Sequence, residues 1–238
     1  MTSSWSCDVN PSGGGSEATV AGTALSVFRQ LDGWSDAIRS LQELHDGAGE
    51  HARREADRFA ARFEGQRAAM ILDVVYSANR RYDTRVVPRV EAFQLTPAAQ
   101  SLRSLAEQGV GDTTGFRRYE ASSIRDLARS FAEYADRGGL DDDAACRQWA
   151  QAADPGVVYG LDPVIGRVKG IGLALYRYLR MRCGADDLKP DRRVANALSR
   201  LGFPRVHGSE AIYALGMAAA LDSGIRPLEL DQLLWFDG

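Results

Sequence analysis

Lysine is nearly missing from this chain: of its 29 basic residues only Lys169 and Lys189 are lysines, and the rest are arginine. Any chemistry that needs a side-chain amine therefore has two places to happen. Cysteine is also scarce. Cys7, Cys146 and Cys183 are isolated, odd in number and without metal-ligand spacing, which argues against a disulfide framework, a structural zinc and a four-cysteine iron–sulfur cluster. The three histidines, His45, His51 and His207, stand far apart and read as surface or capping residues. No run of about 18 apolar residues exists to span a membrane, and no basic segment leads into an apolar core at the start, so neither a membrane partner nor a secretory signal is expected. What is present is ordinary for a globular protein: 45% hydrophobic and 26% charged residues in 238, enough to bury a substantial core. A reduced, cytoplasmic protein is expected.

The net charge is −3, but the sum hides its distribution. Between Val164 and Arg205 ten basic residues face only Asp186, Asp187 and Asp191, so that stretch carries +7. Arg80, Arg81, Arg85 and Arg89 form a second cluster opposed only by Asp83. A solvated helical face is the ordinary reading of such runs; nucleic acid is the other.

Residues 1–20, Ser-rich and then Pro11-Ser12-Gly13-Gly14-Gly15, read as a flexible tail, with residues 21–238 as the folded domain. From there apolar residues recur at helical spacing, as in Trp34, Ile38, Leu41 and Leu44. Met70 to Ala78 reads as a buried helix, and Thr84 to Phe93 as a helix in which Pro88 marks a kink or a shifted start. Further helices are expected over Ser101–Gln108, Ser122–Ala135, Asp141–Ala150, Pro163–Val168, Leu173–Cys183, Asp191–Leu201, Ala211–Ala220 and Glu229–Trp235. Asp141-Asp142-Asp143 reads as a solvated helix start rather than a metal site. No alternating β-rich pair with a hairpin turn appears. The expectation is an all-α protein of roughly ten helices.

The segment 163–202 carries the chemistry. In Val168-Lys169-Gly170-Ile171-Gly172, two glycines around one apolar residue allow a tight turn anchored by Ile171. Its outward N–H groups, at the start of the next helix, suit a phosphate oxygen or a phosphate-bound monovalent cation. A plain helix-linking turn has the same letters. Nineteen residues after Gly172, Asp191 follows Pro190 and precedes a helical run, the position of an N-cap as well as of a presented carboxylate.

Together the two elements resemble the helix-hairpin-helix, Gly/Pro-rich-loop, aspartate superfamily of base-excision DNA glycosylases, which includes endonuclease III and the alkylpurine and 8-oxoguanine glycosylases. Val75-Tyr76-Ser77-Ala78-Asn79-Arg80-Arg81 is similar to the family segment that fills the gap left by an extruded base. Leu228 through Trp235 resembles the closing helix. The resemblance covers roughly residues 65–238. It implies a two-lobed helical fold with a central cleft for double-stranded DNA and the base, in a nucleoid-associated monomer. Asp191 would be the catalytic carboxylate, and Lys169, Gly170, Gly172, Arg192 and Arg193 would hold the DNA backbone. Asn79, Arg80 and Arg81 would form the duplex wedge, while Trp149, Tyr176 and Tyr178 are candidates for the base pocket, although aromatics at such spacing are commonly core. Lyase-competent members carry a lysine two residues after the second hairpin glycine, where this chain has Ala174. The resemblance thus implies a monofunctional enzyme, a hydrolase of N-glycosyl bonds without β-lyase activity. It would need no cofactor or metal, apart from a monovalent cation at the hairpin, and no iron–sulfur cluster.

That implication has physical sense. Cleaving an N-glycosidic bond builds positive charge on the sugar, which a carboxylate stabilises while orienting water. The nucleotide must first leave the stack, which needs a cleft, a wedge and a firm grip on the backbone. The rival expectation is a non-catalytic helix-hairpin-helix DNA-binding protein in which Asp191 only caps a helix. The base is not named by the residues: oxidised, alkylated, deaminated and mismatched bases all remain open, as does a modified base in phage DNA, which would make the protein one of defence rather than repair.

Overall fold

A computed structural model of the chain describes residues 15–152, 154 and 156–236; residues 1–14 of the expected tail lie outside it. Every regular element among the described residues is helical. The tail expectation is corrected for residues 15–20, which belong to the first helix, α1 (Gly15–Phe28). The Trp34–Leu44 spacing belongs to one long α2 (Trp34–Phe59), followed by α3 (Arg67–Tyr76), α4 (Val87–Gln94), α5 (Leu102–Gln108), α6 (Glu120–Gly138) and α7 (Asp142–Gln151). The last four are α8 (Leu173–Arg182), α9 (Arg192–Arg200), α10 (Ser209–Ser223) and α11 (Pro227–Phe236). Pro88 sits in the first turn of α4, where its missing N–H costs nothing, after a single π turn at Tyr82–Val86.

Local chemistry explains the boundaries. Ser101 and Asp141 cap α5 and α7 by accepting the N–H groups of Ser104 (3.0 Å) and Ala144 (2.7 Å). Gly139 ends α6 in the left-handed conformation. On α6 the inward residues Ile124, Leu127, Ala128 and Phe131 keep the one-sided spacing of an amphipathic helix. α3 is buried along its whole length, as its nearly continuous apolar run requires.

The Asp141-Asp142-Asp143 run is the expected helix start, with the exposed Asp141 capping α7, but Asp142 and Asp143 are less solvated than expected. Asp142 accepts Leu102 N–H (2.8 Å), and Asp143 accepts Gly65 N–H (2.9 Å) and pairs with the buried Arg67 (2.5 Å). His45, partly exposed, reaches inward with its Nε2 2.8 Å from the buried Glu229.

The buried apolar side chains form two clusters. One gathers α3 to α8, with Phe131, Trp149, Tyr176 and Leu179 among its members. The other joins the two ends of the chain, packing α1 and α2 against α9, α10 and α11 around Trp34, Leu41, Leu198 and Leu234. The hairpin helix α8 thus belongs to the first cluster and the Asp191 helix α9 to the second, which sets Asp191 at the seam between them.

Candidate active site at the Asp191 seam

The first limb of the hairpin is not the expected helix: Pro163–Val168 is a succession of turns. The buried Asp162 caps a single turn, its carboxylate accepting the N–H groups of Val164 and Ile165 (both 2.9 Å) and its carbonyl that of Gly166 (3.0 Å). The run stops at Gly166, where an added methyl would meet the carbonyl oxygens of Asp162 and Gly160 at 2.6 Å. Ile165 and Ile171 are buried and tie the hairpin to the core. Its two glycines differ. Gly170 has φ +84°, and a methyl group there would stand 2.8 Å from Ser123 Oγ, which itself donates to Lys169 O (2.6 Å). Gly172 has ordinary extended geometry with open space beside it, immediately before α8. Lys169, Gly170 and Gly172 are exposed, as a phosphate site requires.

Asp191 divides its two oxygens. Oδ1 accepts the N–H groups of Arg193 (2.9 Å) and Val194 (3.2 Å), capping α9. Oδ2 lies 3.4 Å from Lys189 Nζ, in a side chain that is 27% exposed. The carboxylate borders two concavities at once. A pocket of about 680 Å³ has Phe59, Tyr82 and Tyr178 of the first apolar cluster and Val194 of the second among its walls, together with Lys189 and Trp235. An open groove of about 870 Å³ runs from Ala174 and Asn79 past Asp191 along α9.

The pocket rests on a polar network that sequence reasoning missed. Asp73, buried in α3, accepts the hydroxyls of Tyr82 (2.6 Å) and Tyr178 (2.8 Å) and lies 3.3 Å from Arg182 Nε. Arg182 in turn donates to both tyrosine oxygens and to Phe59 O (3.1 Å). Burial, reinforced by the charge of Asp73, pushes the Tyr82 hydroxyl up to about 12, so it stays a donor. Above this floor Lys189 Nζ sits 4.3 Å from the Tyr178 ring centre, and the Arg193 guanidinium stacks 3.7 Å over Trp235. Asp231 closes one side, accepting Lys189 N–H (3.0 Å) and a Gln232 amide proton (3.0 Å). Burial lifts its carboxyl to about 7, with the bond from Lys189 N–H opposing the shift and the nearby Asp191 charge adding to it.

Several sequence expectations are corrected here. Trp149 and Tyr176 are core residues that line neither concavity; both donate to the buried Asp162 (3.0 and 3.1 Å). Of the three candidates only Tyr178 reaches the pocket. Arg80 is committed to Glu120 (2.7 Å), with its guanidinium 3.9 Å over the Tyr76 ring, which takes it out of the wedge set. Asn79 and Arg81 stay exposed, and Asn79 holds φ +51°, the one positive value at a non-glycine among the described residues. Arg193 is spent on the ring and carbonyl of Trp235 rather than reaching outward. The basic stretch is not a +7 face, because Arg177, Arg180 and Arg182 are buried. They pair with Asp154, Asp187 and Asp73.

Among the described residues no helix is long and apolar enough to cross a membrane, and no three metal-binding side chains converge. No family model matches the chain, and no curated protein or solved structure matches it significantly.

Proposed function

We propose that this protein is a monofunctional DNA N-glycosylase acting on duplex DNA, with Asp191 as its catalytic carboxylate. One observation carries the reading: Asp191 presents an oxygen at the shared rim of an aromatic pocket and a cationic groove, while its other oxygen anchors it to the start of α9. A flipped base would enter the aromatic pocket and stack among Phe59, Tyr178 and Trp235. Its sugar would then lie against Asp191, which stabilises the oxocarbenium-like charge and orients water. Lys169, Gly170, Gly172 and Arg192 would grip the backbone, and Asn79 with Arg81 would enter the space left by the base. In this reading the two lobes are the two apolar clusters and the cleft is their seam.

The decisive experiment measures base release from a panel of damaged and modified duplexes and genomic DNAs, read by mass spectrometry. Asp191→Asn should lower release by two or more orders of magnitude while leaving DNA affinity nearly unchanged. Near wild-type turnover by that variant reduces Asp191 to a helix cap and moves the chemistry to another group, whereas duplex binding without base release by the wild type would make the protein a non-catalytic DNA-binding protein. The product should be an intact abasic strand. Ala174, at the position of the family lysine, has no amine, and Lys189 is the one amine in the pocket. Borohydride reduction during turnover should trap no covalent adduct; an adduct that disappears in Lys189→Gln would instead make Lys189 a nucleophile.

A further inference from the structure

Four aromatic rings of the pocket already face one of the protein's own cations. Lys189 Nζ stands 4.3 Å from the Tyr178 ring centre, and the Arg193 guanidinium 3.7 Å from that of Trp235. Arg182 lies 3.9 Å from Phe59, and Arg62 reaches within 5.9 Å of Tyr82. A cationic guest gains from aromatic faces that are free and electron-rich; here it would meet like charge at each of these rings. The carboxylates of the wall do not reverse this. Glu55 and Asp83 are matched in number by Arg58 and Arg62, burial raises the carboxyl of Asp231, and Asp191 is paired with Lys189 at 3.4 Å.

That pair has a direction. Asp191 sits at the rim, bordering both concavities, whereas Lys189 borders the pocket alone. With a sugar against Asp191, the base inside the pocket comes to Lys189. Hydrolysis of an N-glycosidic bond separates charge in the same sense. The electron pair of the N–C1′ bond leaves with the base, water adds to C1′, and the proton that water gives up ends on the base. On the way the sugar turns positive and an uncharged base turns negative, so a fixed carboxylate–ammonium pair beside the bond stabilises both ends. A base that is cationic before cleavage leaves neutral and gains nothing from the ammonium. Arg182 and Arg193 cannot take this part, because the first donates to the tyrosine oxygens and Phe59 O and the second to Trp235 O. We infer that Lys189 is a second catalytic group, stabilising the departing base as an anion, and that the enzyme acts on uncharged bases and rejects cationic N-alkylpurines. The inference rests on the glycosylase reading above and narrows its substrate class.

The test measures single-turnover base release by the full chain from two sets of duplexes. One is treated with dimethyl sulfate and carries cationic N-alkylpurines; in the other each duplex carries one uncharged damaged or modified base. Wild type should release bases from the second set alone. On a released base Lys189→Gln should slow the reaction about a hundredfold at nearly unchanged duplex affinity, and Lys189→Arg, which keeps the charge, should recover most of the rate. The loss should shrink for the fluorinated form of the same base, whose anion needs less stabilisation. An equal loss for both forms would make Lys189 a structural residue and overturn its assigned part. Release of the cationic N-alkylpurines at comparable rates, or a Lys189→Gln enzyme as fast as wild type, also overturns the inference and leaves the glycosylase reading standing. Should wild type release no base from either set or from genomic DNA, both fail.

Discussion

Asparagine caps a helix as well as aspartate does, so at Asp191 the two roles can be separated. Asp191→Asn should melt within about 1 °C of wild type and lose base release, whereas Asp191→Ala should also lose about 1 kcal/mol from the uncapped α9. Thermal denaturation of the pair checks this, and equal melting of both variants would mean that the cap contributes nothing. Asp231 supplies a pH prediction. Its carboxyl titrates near 7 in the folded protein and near 3.9 when unfolded. Between those values the native state holds a proton that the unfolded chain has released. Its contribution to stability is therefore complete below about pH 4 and is lost as pH rises through about 7, on the order of 4 kcal/mol. Asp231→Asn keeps an acceptor for Lys189 N–H without the charge. Its melting advantage over wild type should be small at pH 4.5 and grow to a plateau by about pH 8; melting curves that stay parallel across that range would refute the shift.

At the scale of elements, the hairpin glycines make unequal demands. Gly170→Ala forces a left-handed residue and a contact with Ser123 Oγ, a strain of about 1–3 kcal/mol. Gly172→Ala meets neither obstacle and should stay within about 0.5 kcal/mol of wild type by denaturant unfolding. Both should weaken duplex binding, Gly172→Ala because a methyl group stands where a phosphate would approach the start of α8. A Gly172→Ala variant with unchanged affinity would remove that contact. The helices themselves were legible because their burial is one-sided: the spacing of Ile124, Leu127 and Phe131 states the period directly. The Gly170–Asp191 element was legible because its turn and cap are local. Pro163–Val168 was misread because its apolar letters fit a helix, while the turn that Asp162 caps ends at Gly166, which is packed against backbone carbonyls that no periodicity reports.

The whole molecule decides which charges face water, and this was the least legible property. Arg177, Arg180 and Arg182 read as an exposed run, yet α8 is enclosed on nearly all sides and their carboxylates come from α3 and from loops elsewhere in the chain. The Asp73–Arg182 network joins α3, the π turn at Tyr82, α8 and the end of α2, and it forms the floor on which the pocket rests. Removing one member should therefore act on the fold before the chemistry. Asp73→Ala leaves the Arg182 cation buried without its carboxylate, a loss of about 3–5 kcal/mol. In a chain of this size that lowers the melting temperature by about 10 °C. Arg182→Met placed on top of Asp73→Ala removes the stranded charge and keeps the volume over Phe59. The double variant should accordingly melt above the Asp73→Ala single, even though it carries one more change. Thermal unfolding of wild type, both singles and the double provides the cycle. Additive losses would mean that Asp73 and Arg182 do not depend on each other, and that the pocket floor is held by packing alone.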